Sequence, residues 1–197
     1  MMEKAVIFDF GNVIARFDPD GIVRSLCGDE DARRIKEAVF ENWALLDAGA
    51  AEYDDCVSLA LQKLPGRLHE KAKRVFRDWY RNLPYVEGVE ALIYQLGCEG
   101  APLYLLSNAP VYLSRRFDYF AALRGFRGRV VSGDVKMVKP EEGIYRHLLD
   151  TYKLTPQNCV FFDDAPQNVE TALRLGIDAH LFTGDVGLMR RVLRMNP

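Results

Sequence analysis

The stretch "KAVIFDFGNVIARF", Lys4 to Phe17, decides how the rest of the chain is read. Val6, Ile7 and Phe8 make the kind of short apolar run that a strand buried on both faces shows, and the run stops at the carboxylate of Asp9. A charge directly after a buried strand is costly unless something meets it. Asp9 therefore asks for a partner, and Gly11, two places on, asks why no side chain stands there.

The same grammar recurs downstream. Apolar runs end at Leu106 ("LYLL"), Val131 ("RVV"), Phe162 ("CVFF") and Phe182 ("AHLF"), each bounded by turn-prone residues. Helix-period segments alternate with them, at Val86–Leu96, Val111–Phe117, Glu141–Tyr152, Val169–Leu175 and Val186–Arg194. This alternation predicts an α/β fold, a doubly wound parallel sheet of the Rossmann-like kind. One crossover is out of proportion. Residues 15–84 carry no strand signal but show helix patterns at Ala32–Phe40, Tyr53–Leu64 and Leu68–Asn82. A crossover needs only about a dozen residues, so this segment reads as a small all-helical module inserted after the first strand. The expected division is a core of residues 1–14 and 85–197 and a helical cap of residues 15–84.

In such a sheet the residues just past the strand ends converge on one crevice. Those ends carry Asp9, then Ser107 and Asn108, then Lys139 beyond the third strand, then Asp163 and Asp164. Each alone has a plain reading: Asp163 and Asp164 before Pro166, or Ser107 and Asn108 before Pro110, could simply cap helices, and Lys139 could be solvated. Together they put three carboxylates, a hydroxyl and an ammonium in one small volume. Carboxylates that close repel unless a cation or proton intervenes, and an oxygen-rich set suits Mg²⁺.

These residues lie in segments that resemble the haloacid dehalogenase-like hydrolase superfamily: "IFDFGNV", "LLSNA", "KPEEGIY" and "VFFDDAPQNVETALRLGI" are similar to its four motifs, in order. The "DFGNV" opening is similar to a branch that contains an α-D-glucose-1-phosphate phosphatase. The resemblance implies that Asp9 is a nucleophile, that Lys139 offsets charge, and that Ser107, Asn108, Gly11 and Asn12 bind the phosphoryl group. It implies Mg²⁺ held by Asp9, the Gly11 carbonyl and Asp164, with Asp163 near its outer shell. Most phosphatases of the family carry an aspartate where Gly11 stands, which moves a proton to the leaving oxygen and later from water. The sequence names no replacement for it. A substrate with an acidic leaving group, such as an anomeric sugar phosphate, would suffer least from this loss. Two other readings stay open: a carbon–halogen hydrolase, which the paired acids disfavour, and a feeble phosphate-ligand-binding protein.

Trp43, Asp47 and Tyr53, in the middle of the insert, could stack on or hydrogen-bond to a sugar, but the expectation is that they pack or face solvent, outside the site. A formal charge of −2 and a pI near 6.0 give no field for nucleic acid or a membrane surface. The expected partner is a small phosphorylated molecule. Four scattered cysteines without a CxxC pair suit reduced thiols, and with no leader-like or spanning segment the expected location is cytoplasmic. His69, His147 and His180 read as packing or surface residues without carboxylate partners. Arg190, Arg191 and Arg194 read as the solvated face of a docked helix.

Overall fold

The computed structural model describes residues 4–195; the outermost residues of the expected core, 1–3 and 196–197, lie outside it. Five parallel strands, β1 (Ala5–Phe8), β2 (Leu103–Ser107), β3 (Gly128–Val131), β4 (Cys159–Asp163) and β5 (Asp178–Leu181), form one sheet in the order β3-β2-β1-β4-β5. The order reverses between β1 and β4. That is the switch point at which the crevice beyond the strand ends opens.

Alternation along the strands sorts the core into two faces. Val6, Phe8, Leu103, Leu105, Val160 and Phe162 belong to one apolar cluster, while Ile7, Tyr104, Leu106 and Phe161 belong to the other. The helical layers follow from this. On the first face lie α6 (Val89–Cys98), the 3₁₀ segments around Phe117, Phe120 and Leu123, and Met189 of α11 (Val186–Val192). On the second lie α9 (Glu142–Tyr152), through Ile144, Tyr145 and Leu148, and α10 (Pro166–Arg174), through Val169 and Ala172. Both faces are buried, as the near-continuous apolar runs require.

Between β1 and β2 the chain forms α1 (Pro19–Cys27), α2 (Ala32–Phe40), α3 (Trp43–Asp47), α4 (Tyr53–Lys63) and α5 (His69–Asp78). The chain enters and leaves this insert side by side: Arg16 N–H donates to the Pro84 carbonyl and Val86 N–H to that of Ile14, at 2.8 and 2.9 Å. The apolar cluster of the first sheet face runs on unbroken into the insert through Phe10, Val13, Ile14, Leu83 and Val86.

Several elements differ from expectation. The sequence reading missed α1, although Asp18 accepts a hydrogen bond from Asp20 N–H and Pro19 opens the helix, a legible start signal. It also missed α3 and the four-residue α8 (Ser132–Val135), each too short to show a helical period. The expected Leu68–Asn82 helix ends at Asp78 and tightens into a 3₁₀ turn, Trp79–Asn82, and the expected Val111–Phe117 helix stops as α7 (Val111–Ser114). His180 does meet a carboxylate, Asp178 Oδ1 at 2.9 Å, on β5. Among the described residues no helix is long and apolar enough to cross a membrane, and Cys27, Cys56, Cys98 and Cys159 are all free thiols.

Candidate active site

The question raised by Asp9 has a direct answer. Its backbone N–H extends the ladder by one step to the Phe162 carbonyl at 2.9 Å, so the residue is fixed just beyond β1. Its Oδ1 accepts from Phe10 N–H at 2.7 Å and from the Lys139 ammonium at 2.9 Å. Among the described residues nothing hydrogen-bonds Oδ2, and Asp9 lines the principal crevice pocket. Lys139 is the missing partner. Its side chain is 1% exposed and also contacts Asp163 Oδ2 at 2.6 Å. Burial works against the lysine charge, but the carboxylates of Asp9 and Asp163 outweigh it and raise its pKa above the usual lysine range. Burial likewise pushes the Asp9 carboxyl up to about 7, against the pull of Lys139.

Asp163, fully buried, is saturated: its Oδ1 accepts from Ala165 N–H at 2.8 Å and the Asn168 amide at 2.9 Å. It therefore orients Lys139 rather than reaching into the crevice. Asp164 lines the pocket, with Oδ2 accepting from the Asn12 amide at 3.0 Å. Carboxylate oxygens of Asp9, Asp163 and Asp164 lie within 4.8 Å of one another. A set of hard oxygen donors crowded to that spacing fits Mg²⁺.

The remaining expected site residues also gather here, with two adjusted roles. Ser107, Asn108, Gly11 and Asn12 all line the pocket. The side chain of Asn108 is committed to Lys139, accepting from its N–H at 2.8 Å and donating to its carbonyl at 2.9 Å, which ties the end of β2 to the lysine loop. The Asn12 N–H, expected to meet a phosphoryl oxygen, instead donates to the Ala15 carbonyl at 2.7 Å, closing a tight turn. Its side chain holds Asp164 and Phe17 N–H. Asn12 is thus a positioning residue.

Two residues set aside in the sequence reading belong to the pocket. Trp43 and Asp47, at the two ends of α3, line it together with Phe17 and Trp79. Asp47 Oδ1 is buried and has no hydrogen-bond partner among the described residues. Burial, with the nearby charge of Asp9, pushes the Asp47 carboxyl up to about 7. Its backbone is locked from the core: Ser132 Oγ donates to the Asp47 carbonyl and accepts from Ala109 N–H. Ser132 was also missed, although it stands at the end of β3, where the strand-tip rule would have found it. Tyr53 packs as expected, its ring stacked on Tyr112 at 4.1 Å and its hydroxyl donating to the Phe76 carbonyl.

A parallel sheet with a carboxylate, a buried lysine and paired acids at its switch point is the arrangement of a hydrolase of the haloacid dehalogenase-like kind, and that family matches residues 3–176. The chain belongs to the haloacid dehalogenase-like hydrolase family. A sesquiterpene phosphatase, astK of Aspergillus oryzae, is 29% identical over 179 residues, covering 88% of this chain and 87% of its own. A phosphorylated carbohydrates phosphatase of Thermotoga maritima is 30% identical over 124 residues, 60% of this chain and 54% of its own. The crystal structure of a HAD family enzyme from Bacteroides thetaiotaomicron, in complex with magnesium and inorganic phosphate, superposes with a TM-score of 0.70 at 18% identity, over 92% and 94% of the two chains. This chain is accordingly a phosphatase-type hydrolase.

Proposed function

We propose that this protein hydrolyses a small phosphomonoester, a sugar phosphate of the glucose 1-phosphate kind, through a phosphorylated Asp9 and with Mg²⁺ as cofactor. The observation that carries the reading is the buried Asp9–Lys139–Asp163 chain with Asp164 beside it. Asp9 Oδ2 attacks phosphorus, the ester oxygen leaves opposite, and water then cleaves the aspartyl-phosphate. Lys139, gripped from behind by Asp163, pulls Asp9 towards its ionised form against burial and balances the incoming phosphate. Ser107 and the Asn108 N–H take phosphoryl oxygens, while Asn12 aims Asp164. Asp9, Asp164 and the Gly11 carbonyl would hold Mg²⁺, with Asp163 behind them, and the ion supplies charge stabilisation for the transferring group.

Residues 15–84 act in this reading as a cap over the core. The Phe17, Trp43 and Trp79 rings close the pocket to about 190 Å³, which suits a phosphoryl group on a compact leaving group. Aromatic faces of this kind stack on the apolar side of a sugar ring. An anomeric phosphate releases a hemiacetal, more acidic than an ordinary alcohol, which tolerates the missing side chain at Gly11.

The test is phosphate release from a panel of phosphomonoesters, with and without Mg²⁺, for the unsubstituted protein and Asp9→Asn. Mg²⁺-dependent release that vanishes in Asp9→Asn supports the reading. Chloride release from a 2-haloacid without Mg²⁺ would replace it with carbon–halogen hydrolysis, and ligand binding without turnover with a binding protein. Equal rates on anomeric and primary sugar phosphates would remove the leaving-group argument.

A further inference from the structure

Phosphomonoester hydrolysis by Asp9 needs a proton delivered to the leaving oxygen and another removed from the attacking water. The core's own carboxylates are engaged. Asp9 is the attacking group, Asp163 has both oxygens hydrogen-bonded, and Asp164 is held by Asn12 within the converging acidic set. Gly11 offers no side chain. Asp47 is the remaining carboxyl that lines the pocket, and it does not belong to the set that converges within 4.8 Å.

We propose that Asp47, delivered by the insert, is the general acid and base of this site, in the place Gly11 leaves open. Among the described residues its buried Oδ1 has no hydrogen-bond partner, so one oxygen is uncommitted. Its backbone is docked to the core by Ser132, and the following turn is pressed home: a Cβ at Gly49 would lie 2.4 Å from the Gly133 carbonyl oxygen. The carboxyl is therefore held in position, although it comes from a different part of the chain. Asp9 is the charge that acts on it, and Asp164 shares the pocket; the helix packed against α3, α8, carries Asp134, which already accepts from Ser114, and is followed by Lys136. Burial keeps a large protonated fraction near neutral pH, as an acid that donates and then accepts requires.

The steps balance. In the first, Asp9 forms its bond to phosphorus as the ester P–O bond breaks, and protonated Asp47 gives its proton to the departing oxygen. In the second, the Asp47 carboxylate takes a proton from water as that oxygen bonds to phosphorus and the Asp9–phosphorus bond breaks. Asp9 returns as carboxylate and Asp47 as acid.

This inference rests on the phosphatase reading, and the experiment separates the two. The probes are glucose 6-phosphate, whose alkoxide needs a proton, and 4-nitrophenyl phosphate, whose leaving group does not. If the unsubstituted enzyme releases no phosphate from either of these or from glucose 1-phosphate, the phosphatase reading falls and this proposal with it. Given turnover, Asp47→Asn is expected to lower kcat on glucose 6-phosphate by about 10²–10⁴-fold. On 4-nitrophenyl phosphate it is expected to release one equivalent of nitrophenolate per site in a burst, then stall, because water still lacks its base. A Cβ at Gly11 meets nothing within 4 Å, so Gly11→Asp in the Asp47→Asn background is expected to recover at least about tenfold of the loss. Glucose 6-phosphate turnover within about threefold of the unsubstituted enzyme overturns the proposal. So does a loss that comes without a burst and is not recovered in the double variant.

Discussion

The core and the insert each contribute carboxylates to one pocket, but they hold them by opposite means. On the core side Asp9 and Asp163 share Lys139, Asn108 clamps the lysine backbone, and Asn12 steadies Asp164, so every acid is fixed by at least one strong hydrogen bond. On the insert side Asp47 stands on a helix of five residues, fixed by its backbone while one of its oxygens has no partner. The first arrangement suits groups that must be held still. The second suits a group whose proton must come and go.

Substitutions can break this contrast. The largest effect is expected from Asp9→Asn, with phosphate release falling on the order of 10⁴-fold or more while the protein stays folded. Lys139→Met would leave Asp9 and Asp163 buried without a counter-charge. Urea unfolding at pH 8 should then show a loss of roughly 3–5 kcal/mol, and activity should be lost too. Mg²⁺ sharpens the picture of the core, since an ion that relieves carboxylate crowding stabilises the folded state by about 2.7 kcal/mol at a hundred times its Kd. Thermal melts of Asp164→Ala should lose most of that increment.

The insert should respond more mildly. Gly49 has a φ of +63° and sits against the Gly133 carbonyl. Gly49→Ala is expected to cost about 2 kcal/mol and to lower activity by displacing Asp47. The smallest effect has an unusual sign. The Asp47 carboxyl is raised to about 7 from 3.8, so the folded state binds its proton more tightly than the unfolded state. Burial then costs nothing below pH 4; the cost grows between pH 4 and 7 and is fully present above 7. Asp47→Asn removes that cost and is expected to stabilise the fold at pH 8, with the gain fading towards pH 4. Melts across that range check it.

The contrast also explains what the sequence disclosed. Asp9, Ser107, Asn108, Asp163 and Asp164 were readable because each ends or follows a short apolar run, and Lys139 because the loop beyond the third strand leads to it; a parallel sheet gathers strand ends at one edge. Asn12 was placed at the site, but its role was misread, because a backbone N–H gives no sign of the carbonyl it will meet. Asp47 and Trp43 carried no such marker. A single helical turn has too few residues to show a period, and their approach to Asp9 depends on how the insert folds back over the sheet. Ser132, directly after the third apolar run, was within reach of the same strand-end rule.

The uninterrupted apolar cluster that joins the sheet to the insert limits how molecules come and go. Swinging the helices away as a hinged lid would expose that seam to water at about 2.5 kcal/mol for every 100 Å² of apolar surface. That cost favours a roof that stays in place over the sheet. A fixed roof is expected to favour slender esters over bulky ones, which rates across phosphomonoesters of increasing girth would check.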